Sequence, residues 1–199
     1  MTRRRVLRPE TTVEHVDEFA KGAHWPMVGV TERDRESGTD GEVVWQADGH
    51  TLGKQVLKTG SLHYVQDAMF GIGYYYLTGR PKGVVETLAA NAAQALDPWT
   101  VEELCQAFDQ SGDPRARGQA ALRLGLAAPP KPDQQVIKRI GTALADQDAR
   151  VRYASIFAAS YTRYEALLPN LRTIADKDEE EFLRERAAAT LRSMDGVKV

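Results

Sequence analysis

The sequence predicts an α+β fold in which a small N-terminal antiparallel β-sheet caps a C-terminal α-solenoid of about three helix pairs. Before residue 80 the apolar residues fall in short runs rich in β-branched and aromatic side chains, and after it they recur at helical spacing. One pattern of an acid, an arginine and small residues also occurs three times in the helical part. We therefore expect a β-rich region over residues 1–80 and a solenoid over residues 81–199.

The composition is that of a globular protein and excludes several classes. Of the 199 residues, 42% are hydrophobic and 27% are charged. A net charge of −2 argues against a nucleic-acid ligand, because such binders are usually basic. No apolar stretch reaches the roughly 20 residues of a membrane span, and the arginine-rich start lacks the apolar run of a secretory signal. A single cysteine, Cys105, cannot form an internal disulfide, so we expect a cytoplasmic protein with an inert core thiol at this position.

The β-rich region is predicted to contain one short helix followed by strands. The helix is expected to begin at Thr11, with Glu14 completing a capping box, and to end at Gly22. The polar loop 33–41 and the Asp48–Gly49 pair are predicted to separate strands as turns. The strand signals lie in WPMVGV at 25–30, GEVVWQA at 41–47, SLHYVQ at 61–66 and GIGYYYLTG at 71–79.

Helical spacing begins after the segment TGRPKG and continues along the rest of the chain. A first helix over 83–96, on which the sheet is expected to pack, carries an apolar stripe of Val84, Leu88, Ala92 and Leu96. Asp97–Pro98 and Asp113–Pro114 are predicted to start the next two helices, since each places a capping acid before a proline at the first helical position. The segment APPKPD at 128–133 is expected to separate one helix pair from the next.

A repeated pattern appears in the second helix of each pair. The segments DPRARGQAAL from Asp113, DARVRYASIF from Asp148 and EFLRERAAATL from Glu181 align with Arg117, Arg152 and Arg184 in register, 35 and then 32 residues apart. A two-helix repeat of about 30–45 residues is typical of an α-solenoid. Over about residues 99–194 the pattern resembles short HEAT-like repeats. The second copy departs from it, since Ser155–Ile156 replaces the alanine pair.

The resemblance implies structural roles for most of the repeated residues. In HEAT-like repeats the recurrent arginine pairs with the loop acid of an adjacent repeat, which we expect of Arg117, Arg152 and Arg184. The small residues allow stacked helices to approach closely, so Ala120, Ala121, Ala187 and Ala188 are expected to pack between helices.

The second copy also carries a row of aromatic residues that the other copies lack. At about 100° per residue, the row lies on a different side of its helix from the seam Val151, Ser155 and Ala159. Second helices line the concave face of HEAT-like solenoids, so we predict a partner-binding surface here, with inter-repeat core as the alternative interpretation. The predicted site residues are Arg115, Arg150, Tyr153, Phe157 and Tyr161.

No pattern in the chain indicates catalysis or a cofactor. The four histidines, His15, His24, His50 and His63, are too widely spaced to indicate a zinc site. Ser61, His63 and Asp67 are the residue types of a hydrolase triad, but their proximity on one strand and turn does not establish triad geometry. The segment GIGYYY lacks the third glycine of a dinucleotide loop. We therefore expect neither catalytic residues nor a cofactor nor a metal.

The predicted function is that of a non-enzymatic protein-interaction module with a protein partner. An adaptor, a regulatory protein or a bacterial toxin-immunity protein are concrete forms of it. The resemblance also implies a DNA-binding or DNA-repair alternative, because some HEAT-like proteins hold damaged DNA on a basic concave face. A chromophore-lyase-like activity is a further use of short HEAT-like repeats, but no residue here supports it.

Overall fold

The protein is described by a computed structural model covering residues 2–52 and 55–195, with only backbone pairing described within 48–59. The chain divides into two compact units, Met1–Trp99 and Thr100–Val199. Within residues 2–52 and 55–195, no helix is long and apolar enough to cross a membrane.

The first unit is built on an antiparallel sheet, as predicted. Its strand order is β1-β5-β4-β3-β2, and every neighbouring pair is antiparallel. The edge strand β1 was not predicted, because two residues are too few to show an alternating pattern. The strands are β1 (Arg5–Val6), β2 (Met27–Thr31), β3 (Gly41–Leu52), β4 (Gln55–Gln66) and β5 (Gly73–Gly79).

The predicted turn at Asp48–Gly49 is wrong, because β3 continues through this pair. Asp48 is paired with Lys58 and His50 with Leu57, and the register shifts on either side of Asp48. A bulge absorbs an extra residue while the strands on both sides stay paired, which is why an Asp-Gly pair can lie inside a long strand.

Helix α1 (Val13–Gly22) ends where the sequence predicted, but its N-cap lies one residue later than the predicted Thr11. Its N-cap is Thr12, whose backbone N–H donates to Nδ1 of His15 at 3.0 Å. A histidine ring nitrogen therefore takes the place that Glu14 was expected to fill. The predicted N-cap is wrong because Thr11 and Thr12 are both residue types that cap helices, and the helix uses Thr12.

Helix α2 (Lys82–Leu96) packs on the sheet together with α1, as expected. Its buried residues are Val85, Ala89, Ala92 and Leu96, whereas Val84 and Leu88 are only partly buried. The buried stripe is thus rotated by one residue from the predicted one in the first half of the helix. Because α2 shares the core of the sheet, the compact unit ends after Trp99 and not after residue 80. The core includes Trp45, Leu62, Tyr75 and Leu77 from the sheet and Val16 and Ala20 from α1.

The second unit consists of antiparallel helix pairs, which confirms the solenoid prediction. A 3-10 turn at Glu165–Leu167 precedes the first helix of the third pair. The predicted capping of this solenoid by the sheet stays a prediction. The pairs are α3 (Val101–Asp109) with α4 (Pro114–Ala127), α5 (Gln134–Leu144) with α6 (Ala149–Thr162), and α7 (Leu168–Lys177) with α8 (Glu181–Asp195).

The helix starts of this unit confirm one of the two predicted Asp-Pro caps. Asp113 caps α4 by accepting a hydrogen bond from the Ala116 N–H at 3.0 Å. Asp97 instead ends α2 in a left-handed conformation with φ 41°. Helix α3 is capped by Thr100, whose Oγ1 accepts from the Glu103 N–H at 3.1 Å. The prediction that Asp97 caps α3 is wrong, because Pro98 and Trp99 both lie before this helix and Thr100 is its N-cap.

Small residues bring the second helices of the first two pairs into close contact. A Cβ added to Gly125 would lie 2.6 Å from the Cα of Ala158, so the two backbones approach directly. A Cβ on Gly118 would lie 3.3 Å from the Cβ of Ala154. The predicted packing seam of α6, consisting of Val151, Ser155 and Ala159, is fully buried.

Candidate functional site

Two of the three recurrent arginines, Arg117 and Arg152, form a ladder between adjacent repeats by pairing with a loop acid, as predicted. Arg117 Nη1 donates to Asp146 Oδ2 at 2.8 Å, and Arg152 donates from Nε and Nη2 to the carboxylate of Asp178 at 2.8 and 2.9 Å. The Arg152 side chain is 10% exposed and that of Asp178 is 5% exposed. These arginines are therefore occupied by structural contacts.

Burial and ion pairing have opposite effects on the pKa of Asp178, the acid that pairs with Arg152. Burial raises the pKa of Asp178, but hydrogen bonds from Arg152 and the Glu180 N–H, together with nearby positive charge, lower it more. The net pKa lies below the usual value of an aspartate. The carboxylate thus stays ionised because its cationic partner is close.

The third arginine departs from the prediction, because among the described residues it donates to backbone oxygens of its own loop and not to an acid of an adjacent repeat. Arg184 Nη1 donates to the carbonyl oxygens of Asp178 at 2.6 Å and Glu179 at 3.0 Å. Arg152 makes the corresponding contacts to the carbonyls of Asp146 and Gln147, both at 2.9 Å. Each arginine therefore also fastens the turn that precedes its own helix.

The predicted aromatic row lies on α6 and is half-buried. The rings of Tyr153 and Phe157 pack edge to face, with their centroids 5.1 Å apart. Tyr153 also contacts Phe182 in the first turn of α8, at a centroid distance of 5.8 Å. Phe182 remains 49% exposed. Tyr161 is half-buried further along α6. The row is thus intermediate between the two interpretations, since it is neither fully buried core nor a fully exposed surface.

A groove opens beside this aromatic cluster, between α6 and α8. Its volume is about 690 Å³. The guanidinium of Arg186 lies over the ring of Phe157, 4.9 Å from its centroid. Such a contact holds a cation against an apolar surface without neutralising it. The groove is lined by Tyr153, Phe182, Glu185, Arg186, Ala188, Ala189 and Arg192.

The two predicted arginines do not line this groove. Arg150 is exposed and forms a local pair with Asp148, the N-cap of α6, with Nη2 2.6 Å from Oδ2. The Arg150 hydrogen bond is the main reason why the pKa of Asp148 is lowered to about 2. Arg115 is exposed on α4. Tyr161 does not line the groove either, whereas Tyr153 and Phe157 are in ring contact with each other.

Sequence reasoning missed the contribution of α8. Phe182 and Arg186 are four residues apart, and such residues lie on the same side of a helix. The alignment of the repeats placed α8 beside α6, so this spacing was the signal that could have found them. The α8 residues that align with the aromatic row of α6 are not aromatic, so the repeat alignment did not indicate Phe182 or Arg186.

The sheet carries a separate polar cluster around His63. Its Nδ1 lies 2.9 Å from Glu42 Oε1, its Nε2 lies 3.0 Å from Thr78 Oγ1, and its ring stacks on Tyr76 at 4.6 Å. Tyr76 donates to the same Glu42 oxygen at 3.2 Å. These contacts join β3, β4 and β5, so we interpret the cluster as cross-strand pairing. The sequence signal for this cluster was the alternation of residues along each strand, which places these side chains on one face of the sheet.

The other candidate groups have ordinary structural surroundings. The Ser61–His63–Asp67 set is not assembled around His63, and Asp67 Oδ1 accepts from the Phe70 N–H at 2.6 Å. Cys105 is buried, and this burial raises the pKa of its thiol, in agreement with an inert core cysteine. In the part of the chain that the structure describes, no group of three His, Cys, Asp or Glu residues could hold a metal ion.

Comparison with known proteins identifies the helical unit. Residues 101–192 match the family described as HEAT repeats. Searches of curated proteins and of solved structures found no match. The matched range covers the three helix pairs, and HEAT repeats commonly mediate protein–protein interaction. The helical unit therefore contains HEAT-like repeats over residues 101–192, and a β-sheet unit precedes them in the chain.

Proposed function

We propose that this chain is a non-enzymatic protein-interaction module that binds a protein partner in the groove between α6 and α8. The observation that carries the proposal is the half-buried aromatic cluster of Tyr153, Phe157 and Phe182 beside an open groove. We define this groove by the residues that line it and call it the aromatic groove.

The energetics of the aromatic groove favour a protein partner. Aromatic residues and arginine contribute most of the binding energy at protein interfaces, and such residues cluster in pockets that become desolvated. Phe182 is 49% exposed, so a partner that covers it removes apolar surface from water. Arg186 is already oriented by Phe157, which reduces the entropy that it loses on binding.

A partner-binding role fits a regulatory protein, an adaptor or a toxin-immunity protein acting in the cytoplasm. Nucleic acid is a poorer candidate, because the chain has a net charge of −2 and non-specific affinity for nucleic acid depends on neutralising many phosphates. The predicted residues Arg115, Arg150 and Tyr161 would belong to the periphery of the contact, since none of them lines the groove.

Truncation of Phe182 tests this function. Quantitative affinity purification from cells of the source organism should recover a specific protein with the wild type and much less of it with Phe182→Ala. Val30→Ala is the matched control, because Val30 is also a large exposed apolar residue, 63% exposed, but lies on the sheet. Equal loss with both variants, or no loss with Phe182→Ala, would contradict the proposed site.

A further inference from the structure

The aromatic groove has a cationic rim in an otherwise slightly acidic protein. Arg186 and Arg192 line the groove, and both side chains are exposed. Arg163, at the end of α6, reaches across to α8 and donates from Nη2 to the Ser193 carbonyl oxygen at 3.1 Å. Arg163 therefore adds a guanidinium near the backbone of α8 at Ser193, one residue along the chain from Arg192, although Arg163 does not line the groove.

These three cations are not neutralised by the described residues. Arg186 lies over the Phe157 ring, and Arg163 binds a carbonyl oxygen. Among the residues whose side chains the structure describes, 2–47 and 60–194, none of the three arginines forms a salt bridge with a carboxylate. Arg117, Arg152 and Arg139, by contrast, are paired with aspartates. The guanidinium groups of this surface are thus available to an anionic ligand, although Glu185 also lines the groove.

The floor of the aromatic groove has a different character from its rim. Ala188 and Ala189 form one part of the lining, and the rings of Tyr153 and Phe182, whose centroids are 5.8 Å apart, form another. Short side chains leave room for a ligand side chain, and the paired rings provide apolar walls. The groove thus combines apolar walls and small residues with a rim that favours negative charge.

We propose that the aromatic groove binds an acidic peptide segment of a protein partner, with an apolar side chain against the paired rings of Tyr153 and Phe182 and carboxylates at Arg186 and Arg192. The inference rests on the proposed function and specifies the chemistry of the partner. Arginine is suited to this role because its planar guanidinium pairs with a carboxylate through two hydrogen bonds. Nucleic acid is the less favoured ligand, because the aromatic rings and alanines of the lining suit an apolar side chain better than a phosphate backbone.

The test begins with the full chain and a phage-displayed library of random peptides. We expect the enriched peptides to carry several acidic residues around an apolar one. Fluorescence anisotropy with the best synthetic peptide should then show binding that weakens as salt is raised, because exposed charge pairs are screened. Arg192→Glu should weaken binding by at least about tenfold, since it replaces attraction with repulsion.

Arg172→Glu is the matched control. Arg172 is an exposed arginine on α7 that does not line the groove, and the same charge reversal there should change the affinity by less than about twofold. Circular dichroism of both variants establishes that they are folded. Enrichment of neutral or basic peptides, no enrichment at all, or equal effects of the two reversals would overturn the inference.

Two further measurements separate this inference from the proposed function. Peptide binding that is lost in Phe182→Ala but retained in Arg192→Glu would preserve the groove as a binding site and refute its acidic specificity. Binding that is insensitive to both substitutions would refute both proposals. Tight binding of a labelled DNA duplex that is lost in Arg192→Glu would also overturn the inference, in favour of nucleic acid.

Discussion

The contact between α4 and α6 and the contact between α6 and α8 join equivalent helices of successive repeats, but they place very different side chains between them. In the first contact Gly118 and Gly125 face Ala154 and Ala158, and a Cβ added to Gly125 would lie 2.6 Å from the Ala158 backbone. In the second contact aromatic rings lie between the helices, and a cavity of about 690 Å³ opens beside them.

A single repeat position accounts for much of this difference. Gly118 and Tyr153 occupy the same place in the first and second copies of the repeat pattern, 35 residues apart. The glycine allows close approach of the next helix, whereas the tyrosine ring extends to Phe182 of α8. An arginine–aspartate pair of the ladder is present at both contacts. Ladder residues therefore maintain the stacking of repeats, while the size of the residues between second helices decides where a groove can form.

The largest expected effect comes from breaking the more deeply buried rung of the ladder. Arg152→Ala leaves the 5%-exposed carboxylate of Asp178 without its cation, and removal of one partner from a buried pair costs about 3–5 kcal/mol. Arg117→Ala should cost less, about 1 kcal/mol, because the Arg117 side chain is 33% exposed. Urea denaturation followed by circular dichroism measures both. Equal losses would show that the two contacts depend on their rungs to the same degree.

A methyl group added at the closely packed contact should have the next largest effect. Gly125→Ala forces a Cβ against the Ala158 backbone, and overpacking of this kind costs about 1–3 kcal/mol. The control is Gly141→Ala on α5, where the nearest atom to an added Cβ is Asn170 Nδ2 at 3.9 Å. This change should stabilise the protein by up to about 1 kcal/mol through helix propensity. An unchanged midpoint for Gly125→Ala would mean that α4 and α6 can separate without cost.

The buried pair of Arg152 and Asp178 also makes the free energy of unfolding depend on pH. Because the pKa of Asp178 is lowered in the folded state, its pairing stabilises the fold above the pKa of an unfolded aspartate, about 3.9. This contribution is lost as the pH falls through the lower folded value. Asp178→Asn should therefore reduce the decline in urea midpoint between neutral pH and about pH 3. Asp176→Asn, an exposed substitution on the same helix, is the control and should retain the wild-type pH profile.

The architecture was largely predictable from local patterns, and the groove was not. The register of Arg117 and Arg152 predicted both repeat boundaries and ion pairs, because each depends on a spacing within the chain. The groove depends on which residues of α8 come to face α6. Phe182 has no aromatic equivalent in the other copies, so alignment alone did not identify it. Arg150, a predicted site residue, does not line the groove, because its side chain pairs with Asp148, the N-cap of its own helix.

The smallest stability effect is expected at the aromatic groove itself, and it decides between the two interpretations of the aromatic row. Phe157 is half-buried and pairs edge to face with Tyr153, an arrangement that contributes about 0.5–1.5 kcal/mol beyond its buried area. We therefore expect Phe157→Ala to cost about 1–2 kcal/mol, less than the 3–5 kcal/mol of a fully buried phenylalanine. Phe182→Ala should change stability by no more than about 0.5 kcal/mol, because its ring is 49% exposed. Denaturation midpoints of both variants measure these costs, and peptide binding measured on the same samples tests the site. A cost of 3 kcal/mol or more for Phe157→Ala would assign the row to the core and leave Phe182 with the arginine rim as the binding surface.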